Sequence, residues 1–210
     1  MKCERNAYHP TLWRTCRALA NAKRLACLRV VLSRPAACVG EIAEQLHIPV
    51  NQASMCLRAI QARGLIRAYR ESRWVRYTPR PDPLVPCSRP LLKALRIALL
   101  DERHSEVEIM RTLTGFTHPR RLVLLRHFQM SRASFTVDAL AAATRISLPA
   151  IKRHLRKLSA RSLVRCRADE EWILAKPQDA LSRALLRLLQ TADKSSHGLG
   201  APRERSVYDS

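Results

Sequence analysis

The chain has 210 residues, of which 38 are Lys or Arg and 17 are Asp or Glu, so the formal net charge is +21. With 47% hydrophobic residues it can bury one or two ordinary cores, which excludes a chain that is disordered throughout. Only 5% aromatic residues and five glycines argue against a β-sandwich and against an enzyme with a glycine-rich nucleotide loop. A positive charge of this size on a folded chain indicates a polyanionic partner, most often nucleic acid, with a membrane surface or an acidic protein as lesser alternatives.

No apolar run approaches the roughly 18 residues of a membrane span, and the segment MKCERNAYHP lacks the apolar stretch of a signal peptide. We therefore expect a cytoplasmic, nucleoid-associated protein with no membrane partner. The seven cysteines are odd in number and never form a CxxC pair, so we expect reduced thiols. The sequence has no GxSxG, P-loop or HExxH motif, so we expect no enzyme.

The first part of the chain predicts a winged helix. Apolar residues recur at helical spacing over residues 25–32, and VGEIAEQLHI and VNQASMCLRAIQARGL then predict two helices separated by a tight turn at Pro49. The following LIRAYRESRWVRYTP alternates like two strands with a turn at Glu71-Ser72. A helix-turn-helix followed by a hairpin is the pattern of a winged helix.

Residues 91–114 contain no Gly or Pro and keep an apolar stripe that is interrupted by DERHSE. This predicts one long helix, or two helices nearly end to end. The stripe must be covered, either by ALSRALLRLLQ near the C-terminus or by a second chain, as in a homodimer through the linker and C-terminal helices.

The second part of the chain repeats the first. PRRLVLLRHF, VDALAAATRI, LPAIKRHLRKLSARSL and LVRCRADEEWILAKP again predict three helices and a hairpin. Residues 42–77 align without a gap with residues 140–175, with Trp74 on Trp172 among the identities. We predict a mainly α fold of two tandem winged helix-turn-helix domains joined by a long helix, at residues 1–97 and 98–193, with a disordered tail at 194–210.

Both parts resemble the ArsR family of winged-helix transcription repressors. The first carries LANAKRLACLRVVL, CVGEIAEQL, NQASMCLRAIQARGLI and RWVRY, and the second carries HPRRLVLLRHF, TVDALAAAT, KRHLRKLSARSLV and EEWILA. The resemblance implies a winged-helix fold and DNA binding. Family members are usually a single unit that homodimerises, whereas two units are fused here, so one chain resembles a covalent dimer.

The family's metal sensors carry CVC at the first helix of the helix-turn-helix, and this motif is missing. The aligned segments are Cys38-Val39-Gly40 and Thr136-Val137-Asp138. For the family's other metal site, which uses Asp and His on the terminal helix, the only counterpart in the sequence is His104 near Asp101. We therefore expect no metal and no cofactor. Cys38 aligns with the first cysteine of the motif and has Arg34 nearby, so a redox- or electrophile-sensing thiol is one hypothesis for it.

The second helix of the later helix-turn-helix predicts DNA contacts. If this helix starts after Ser147, its core-facing residues are Ile151, Leu155 and Leu158. The opposite side of the helix is then exposed. That side comprises Ala150, Lys152, Arg153 and Arg156. Arg153 matches the arginine of the family's SRHL motif and could hold guanine O6 and N7, while Lys157, Arg161 and Arg165 are phosphate candidates. The alternative is a solvated cationic helix face.

The earlier unit offers a different set. Its DNA-binding candidates are Asn51, Gln52, Ser54, Met55 and Arg58 on the helix, and Arg70, Arg73 and Arg76 on the wing. Met55 stands where the other unit has Arg153, and the other wing has acidic residues 169–171 at its tip. Trp74 and Trp172 are predicted as hairpin packing residues. We therefore expect an asymmetric DNA site.

These patterns together predict a sequence-specific regulator that binds double-stranded DNA. The expected mode is a repressor that occludes a promoter, with the two units forming a pseudo-dimer. The alternatives are a winged-helix protein-interaction module and a nonspecific nucleic-acid-binding protein. Salt dependence and sequence preference would separate them.

Overall fold

The computed structural model describes residues 11–194, with side chains described through Gln190. We call residues 11–101 the first half and residues 102–194 the second half. The first half contains α1 (Leu12–Leu19), α2 (Ala22–Ser33), α3 (Val39–Gln45), α4 (Val50–Gln61), β1 (Arg67–Glu71), β2 (Trp74–Thr78), α5 (Ser88–Arg96) and a π-helical segment (Ile97–Asp101). The second half contains α6 (Glu106–Gly115), α7 (Pro119–Ser131), α8 (Val137–Thr144), α9 (Leu148–Ser159), β3 (Val164–Cys166), β4 (Trp172–Leu174) and α10 (Ala180–Lys194).

The mainly helical fold with small hairpins is confirmed. In both halves, four helices are followed by an antiparallel hairpin and a further helix. Left-handed backbone also falls at aligned positions of the two halves. These positions are His47 and Arg145, Gly64 and Ser162, and Ser72 and Glu170.

Each half is held by helices that pack along apolar faces. In the first half α2 and α3 pack against α4, which buries Leu25, Leu28, Leu57 and Ile60 completely. In the second half α7, α8 and α9 pack together in the same way. Full burial of a leucine side chain stabilises a fold by about 1.5–3 kcal/mol, so these faces fix the helix positions.

The two hairpins differ in length. The first pairs five residues of β1 with five of β2, from Arg67 opposite Thr78 to Glu71 opposite Trp74, and its tip lies at Ser72-Arg73. The second pairs only three residues on each strand, Val164–Cys166 with Trp172–Leu174. The first wing is therefore the longer one.

The link between the halves is two helices and not one continuous helix. The π-helical segment ends at Asp101, and Arg103 takes a left-handed conformation with φ of 54°. A new helix then begins at a capping box, in which the Ser105 N–H donates to Glu108 Oε2 (2.8 Å) and the Glu108 N–H donates to Ser105 Oγ (3.3 Å). The polar DERHSE stretch thus supplies a helix stop and a restart. The predicted boundary at residues 97 and 98 falls where the π-helical segment begins, and it stays a prediction.

Helices of the two halves pack against each other. α6 packs on α1 and α2, and α10 packs on α5 and on the π-helical segment. The apolar stripe of the linker, including Leu91, Leu95 and Leu99, is fully buried within the chain. The sequence left two possible covers for this stripe, the C-terminal helix or a second chain. The C-terminal helix, α10, packs on it. The predicted disordered tail after Lys194 lies outside the described residues.

Candidate nucleic-acid interface

The outer side of α9 is cationic and its inner side is apolar. The helix begins at Leu148 with Ser147 as the N-cap residue, where the sequence predicted it. Ile151, Leu155 and Leu158 are fully buried. The exposed side carries Lys152, Arg153, Arg156 and Lys157.

One predicted member of this outer side is wrong. Ala150 is only 6% exposed and belongs to the buried face of α9. The reason is helical spacing, because Ala150 lies one turn before His154, which is also buried, and two turns before Leu158. Ala150 therefore packs between the helix and the core and is not available to contact DNA.

Cations at the start of α7 extend this surface. The backbone N–H of Arg120 donates to Nδ1 of His118, the N-cap residue, over 3.1 Å. The imidazole rings of His118 and His154 lie 4.6 Å apart, so this cap touches α9 directly. Burial and the charge of Arg121 lower the pKa of His118, and Arg120, Arg153 and Lys157 act in the same direction.

Arg121 is the most buried of these cations. It is 7% exposed, and it donates from a terminal guanidinium nitrogen to Thr117 Oγ1 over 2.7 Å. Its Nε has no hydrogen-bond partner among the described residues. A buried guanidinium without a carboxylate is costly, and the hydrogen bond to Thr117 offsets part of that cost.

We define the α9–α7 cationic face by the exposed cations at the start of α7 and on the outer side of α9. Its members are Arg120, Lys152, Arg153, Arg156 and Lys157. None of them forms an ion pair with an acidic side chain of residues 11–190. Burial lowers the pKa of His154 to about 4, with His118 and the nearby arginines adding to the effect. Both rings are therefore neutral at pH 7, and the net charge of the face comes from Arg and Lys.

Sequence reasoning missed the α7 contribution. A signal was present, since HPRR at residues 118–121 aligns with NAKR at residues 21–24, where each helix begins. Helix N-termini carry free N–H groups and a partial positive charge that favour phosphate. Arg120, which is exposed at such a position, could have been added to the candidates.

Two other predicted phosphate candidates are tied to protein groups. Arg161 donates from Nε to Thr114 Oγ1 and from a terminal nitrogen to the Lys157 carbonyl, each over 2.6 Å. Arg76 donates to Glu71 and to the Ala36 carbonyl. Both guanidinium groups hold the fold together, so they are poor candidates for phosphate contacts. Arg165 is exposed on β3.

The corresponding surface of α4 is less charged. Met55 is 71% exposed, Asn51 and Arg58 are exposed, and Gln52 and Ser54 are half-buried. The Gln52 side chain accepts a hydrogen bond from Lys23 Nζ over 2.9 Å, which links α4 to the start of α2.

The first half has an open pocket at the positions where the second half has the histidine pair. Asn21 aligns with His118 and Cys56 with His154. Asn21 and Cys56 both line a pocket of about 390 Å³, with Lys23, Arg24 and Met55 among its other residues. The two halves therefore differ in shape as well as in charge.

The wing tips have opposite charges. Arg70 and Arg73 are exposed on the first wing, and the Arg73 guanidinium lies 5.1 Å from the centre of the Trp74 ring. On the second wing Asp169 and Glu170 are exposed at the tip. This matches the asymmetry that the sequence predicts.

The packing role predicted for Trp74 is wrong. Its side chain is 47% exposed, on the face of the hairpin opposite to the buried Tyr77. Trp172 is half-buried against the core, and its backbone pairs with Phe135. Aligned tryptophans thus have different surroundings, because the first hairpin is longer and carries Trp74 away from the core.

Cys38 is the N-cap residue of α3 and is 7% exposed. Its backbone N–H donates to Glu41 Oε2 over 2.7 Å. Its sensing role stays a prediction, and its burial limits access by an oxidant. No group of three or more His, Cys, Asp or Glu side chains in the described part of the chain could hold a metal ion.

The comparisons with known proteins address this region. The family described as a helix-turn-helix domain matches residues 116–167, which span α7, α8, α9 and β3. No curated protein and no solved structure matches the chain. Within residues 11–194 no helix has the length and apolar character to cross a bilayer. The matched segment contains all of the α9–α7 cationic face, and the class that it supports is a DNA-binding helix-turn-helix regulator.

Proposed function

We propose that this chain is a sequence-specific repressor of the ArsR type that binds double-stranded DNA and occludes a promoter. The observation that carries the proposal is the outer side of α9. Four basic side chains lie there without acidic partners, on a helix whose inner face is locked into the core of a helix-turn-helix segment. A rigid helix with cations on one side is what the major groove accepts.

Two winged-helix units, at residues 1–97 and 98–193, would act as a pseudo-dimer within one chain. The repeated order of elements, the aligned left-handed residues and the packing of α1 on α6 and of α5 on α10 support this arrangement. Sedimentation of the free protein at its monomer mass of 23.9 kDa, with one chain bound per DNA site, would agree with it. A second chain in every complex would contradict it.

The halves would divide the work on DNA. Arg153 would hold a guanine, and Arg120 and Lys157 would lie against phosphates. In the first half, the longer basic wing with Arg70 would grip the backbone, and the α4 surface around Met55 would read bases weakly. Selection of binding sequences from random duplex DNA should therefore recover an asymmetric site. A perfect inverted repeat with equal half-sites would refute the division.

Titration of the selected site against random DNA tests the function itself. We expect the selected site to bind at least about 10³-fold more tightly. Arg153→Ala should lose about 5- to 150-fold on the selected site and relax one base position. Lys157→Ala should weaken both DNAs alike and lower the salt slope by about one.

Arg89→Ala is the control variant, because it removes one exposed charge from α5, outside the α9–α7 cationic face. It should leave the affinity for the selected site within about twofold of that of the unaltered protein. Equal binding to all sequences with a steep salt dependence would identify a nonspecific electrostatic binder. Absence of DNA binding would favour a protein-interaction module.

A further inference from the structure

A groove runs between α5 and α10, on helices that the proposed DNA contacts do not use. Its volume is about 490 Å³, which lies in the range of small-molecule sites. Residues of α5, of the start of the π-helical segment and of α10 line it, with Ile97, Ala184 and Leu188 among the apolar ones.

Cations reach this groove from both helices. Lys93 extends from α5, and Arg183 and Arg187 extend from α10. Lys93 and Arg187 occupy equivalent positions in SRPLLKAL and SRALLRLL. Both side chains are exposed, and neither forms an ion pair with any described side chain. None of the lining residues that the structure describes is acidic.

We propose that this groove binds a small amphipathic carboxylic acid. The apolar body lies against Ile97, Ala184 and Leu188, which removes hydrocarbon from water. The carboxylate lies between Lys93 and Arg187, where charge-assisted hydrogen bonds form, and the planar guanidinium can bind both carboxylate oxygens. A neutral or cationic ligand of the same shape gains only the apolar contact.

The ligand would touch both halves at once, because α5 precedes the break at residues 102–105 and α10 follows it. Binding would add a contact between them and stabilise the folded chain in proportion to ligand concentration. This consequence is independent of any DNA-binding activity, so the proposal stands apart from the proposed function.

Calorimetric titration of the full chain with decanoate, kept below its self-association concentration, tests the proposal. We expect saturable one-to-one binding, and binding of decanol at least about tenfold weaker, because decanol lacks the charge. Equal affinity for decanoate and decanol, or no saturable binding of decanoate, would overturn the proposal.

Variants then locate the site. The pair Lys93→Gln and Arg187→Gln should weaken decanoate binding at least about tenfold, since it removes the two cations that would hold the carboxylate. The matched pair Arg89→Gln and Arg96→Gln removes two exposed charges that do not line the groove, and it should leave the affinity unchanged. Equal loss in both pairs would show general charge attraction and overturn the assignment.

Ala184→Leu gives a test that does not alter charge. The larger side chain occupies part of the groove where the apolar body of the ligand would lie, so decanoate binding should weaken while thermal unfolding stays cooperative. If that variant unfolds, the charge pairs decide the question alone. A wild-type chain that sediments as a dimer and fails to bind decanoate would show that a second copy covers the groove, which would also overturn the proposal.

Discussion

Replacement of Arg29 by Ala tests how the two halves are joined. From α2, its guanidinium donates to Glu106 Oε1 (2.8 Å), to the Leu99 carbonyl (2.8 Å) and to the His104 carbonyl (2.6 Å). One side chain thus binds the π-helical segment, the turn after it and the first turn of α6. Loss of Arg29 leaves a carboxylate and two carbonyl groups without their donor.

The structure sets the size of the effect. Hydrogen bonds that involve a charged group contribute about 1.5–3 kcal/mol each, but the side chains of Arg29 and Glu106 are 30% and 28% exposed, so water replaces part of the loss. We expect Arg29→Ala to lower the free energy of unfolding by about 2–4 kcal/mol. For a chain of this length, that corresponds to a fall in Tm of roughly 4–16 °C.

Urea unfolding followed by circular dichroism is the assay, with Arg17→Ala as the control because Arg17 is exposed on α1. The free energy of unfolding of Arg29→Lys should lie between those of the wild type and Arg29→Ala, since an ammonium group cannot span three separated acceptors. A loss below about 0.5 kcal/mol in Arg29→Ala, equal to that of the control, would refute the reasoning.

Three further predictions concern substitutions of single residues. Gly115→Ala should cost about 1–3 kcal/mol in thermal unfolding, because an added Cβ would overlap Leu163 Cδ1; an unchanged Tm would contradict this. The pKa of His154 in the folded chain, about 4, lies below its unfolded value of about 6.5. The unfolded chain therefore binds more protons in that window, and stability should fall as the pH drops from about 6.5 to about 4. In His154→Leu this dependence should be weaker; an identical pH profile would argue against the assignment. If Cys38 senses oxidants, peroxide should weaken DNA binding by the wild type and not by Cys38→Ser. An equal loss of DNA affinity in both proteins would exclude the Cys38 thiol as the sensor.

Much of this architecture follows from patterns within single elements. The start of α9 after Ser147 and the burial of Ile151, Leu155 and Leu158 are confirmed, because a helix with a strong apolar stripe has only one way to face a core. The turn of the first hairpin lies within one residue of its predicted position. Local patterns of this kind require no knowledge of distant residues.

The errors arise where distant residues decide the outcome. Ala150 lies at the margin of a helical stripe, and the width of that stripe depends on what packs against it. The partners of Arg76 and Arg161 come partly from other elements, so neither hydrogen bond has a signature in its own segment. The contact between His118 and His154 joins residues of two helices, and its effect on the nearby charges appears only in three dimensions.

The packing of α6 on α1 and α2 has a consequence for synthesis of the chain on the ribosome. The first half emerges before α6 does, so α1 and α2 have an uncovered apolar side until residues 106–115 leave the exit tunnel. The apolar side of α5 stays uncovered for longer, because it packs against α10, which is the last element described. Exposed apolar surface on a nascent chain invites aggregation. A fragment that stops at residue 97 should therefore need a chaperone to stay in solution, although its helix-turn-helix is complete.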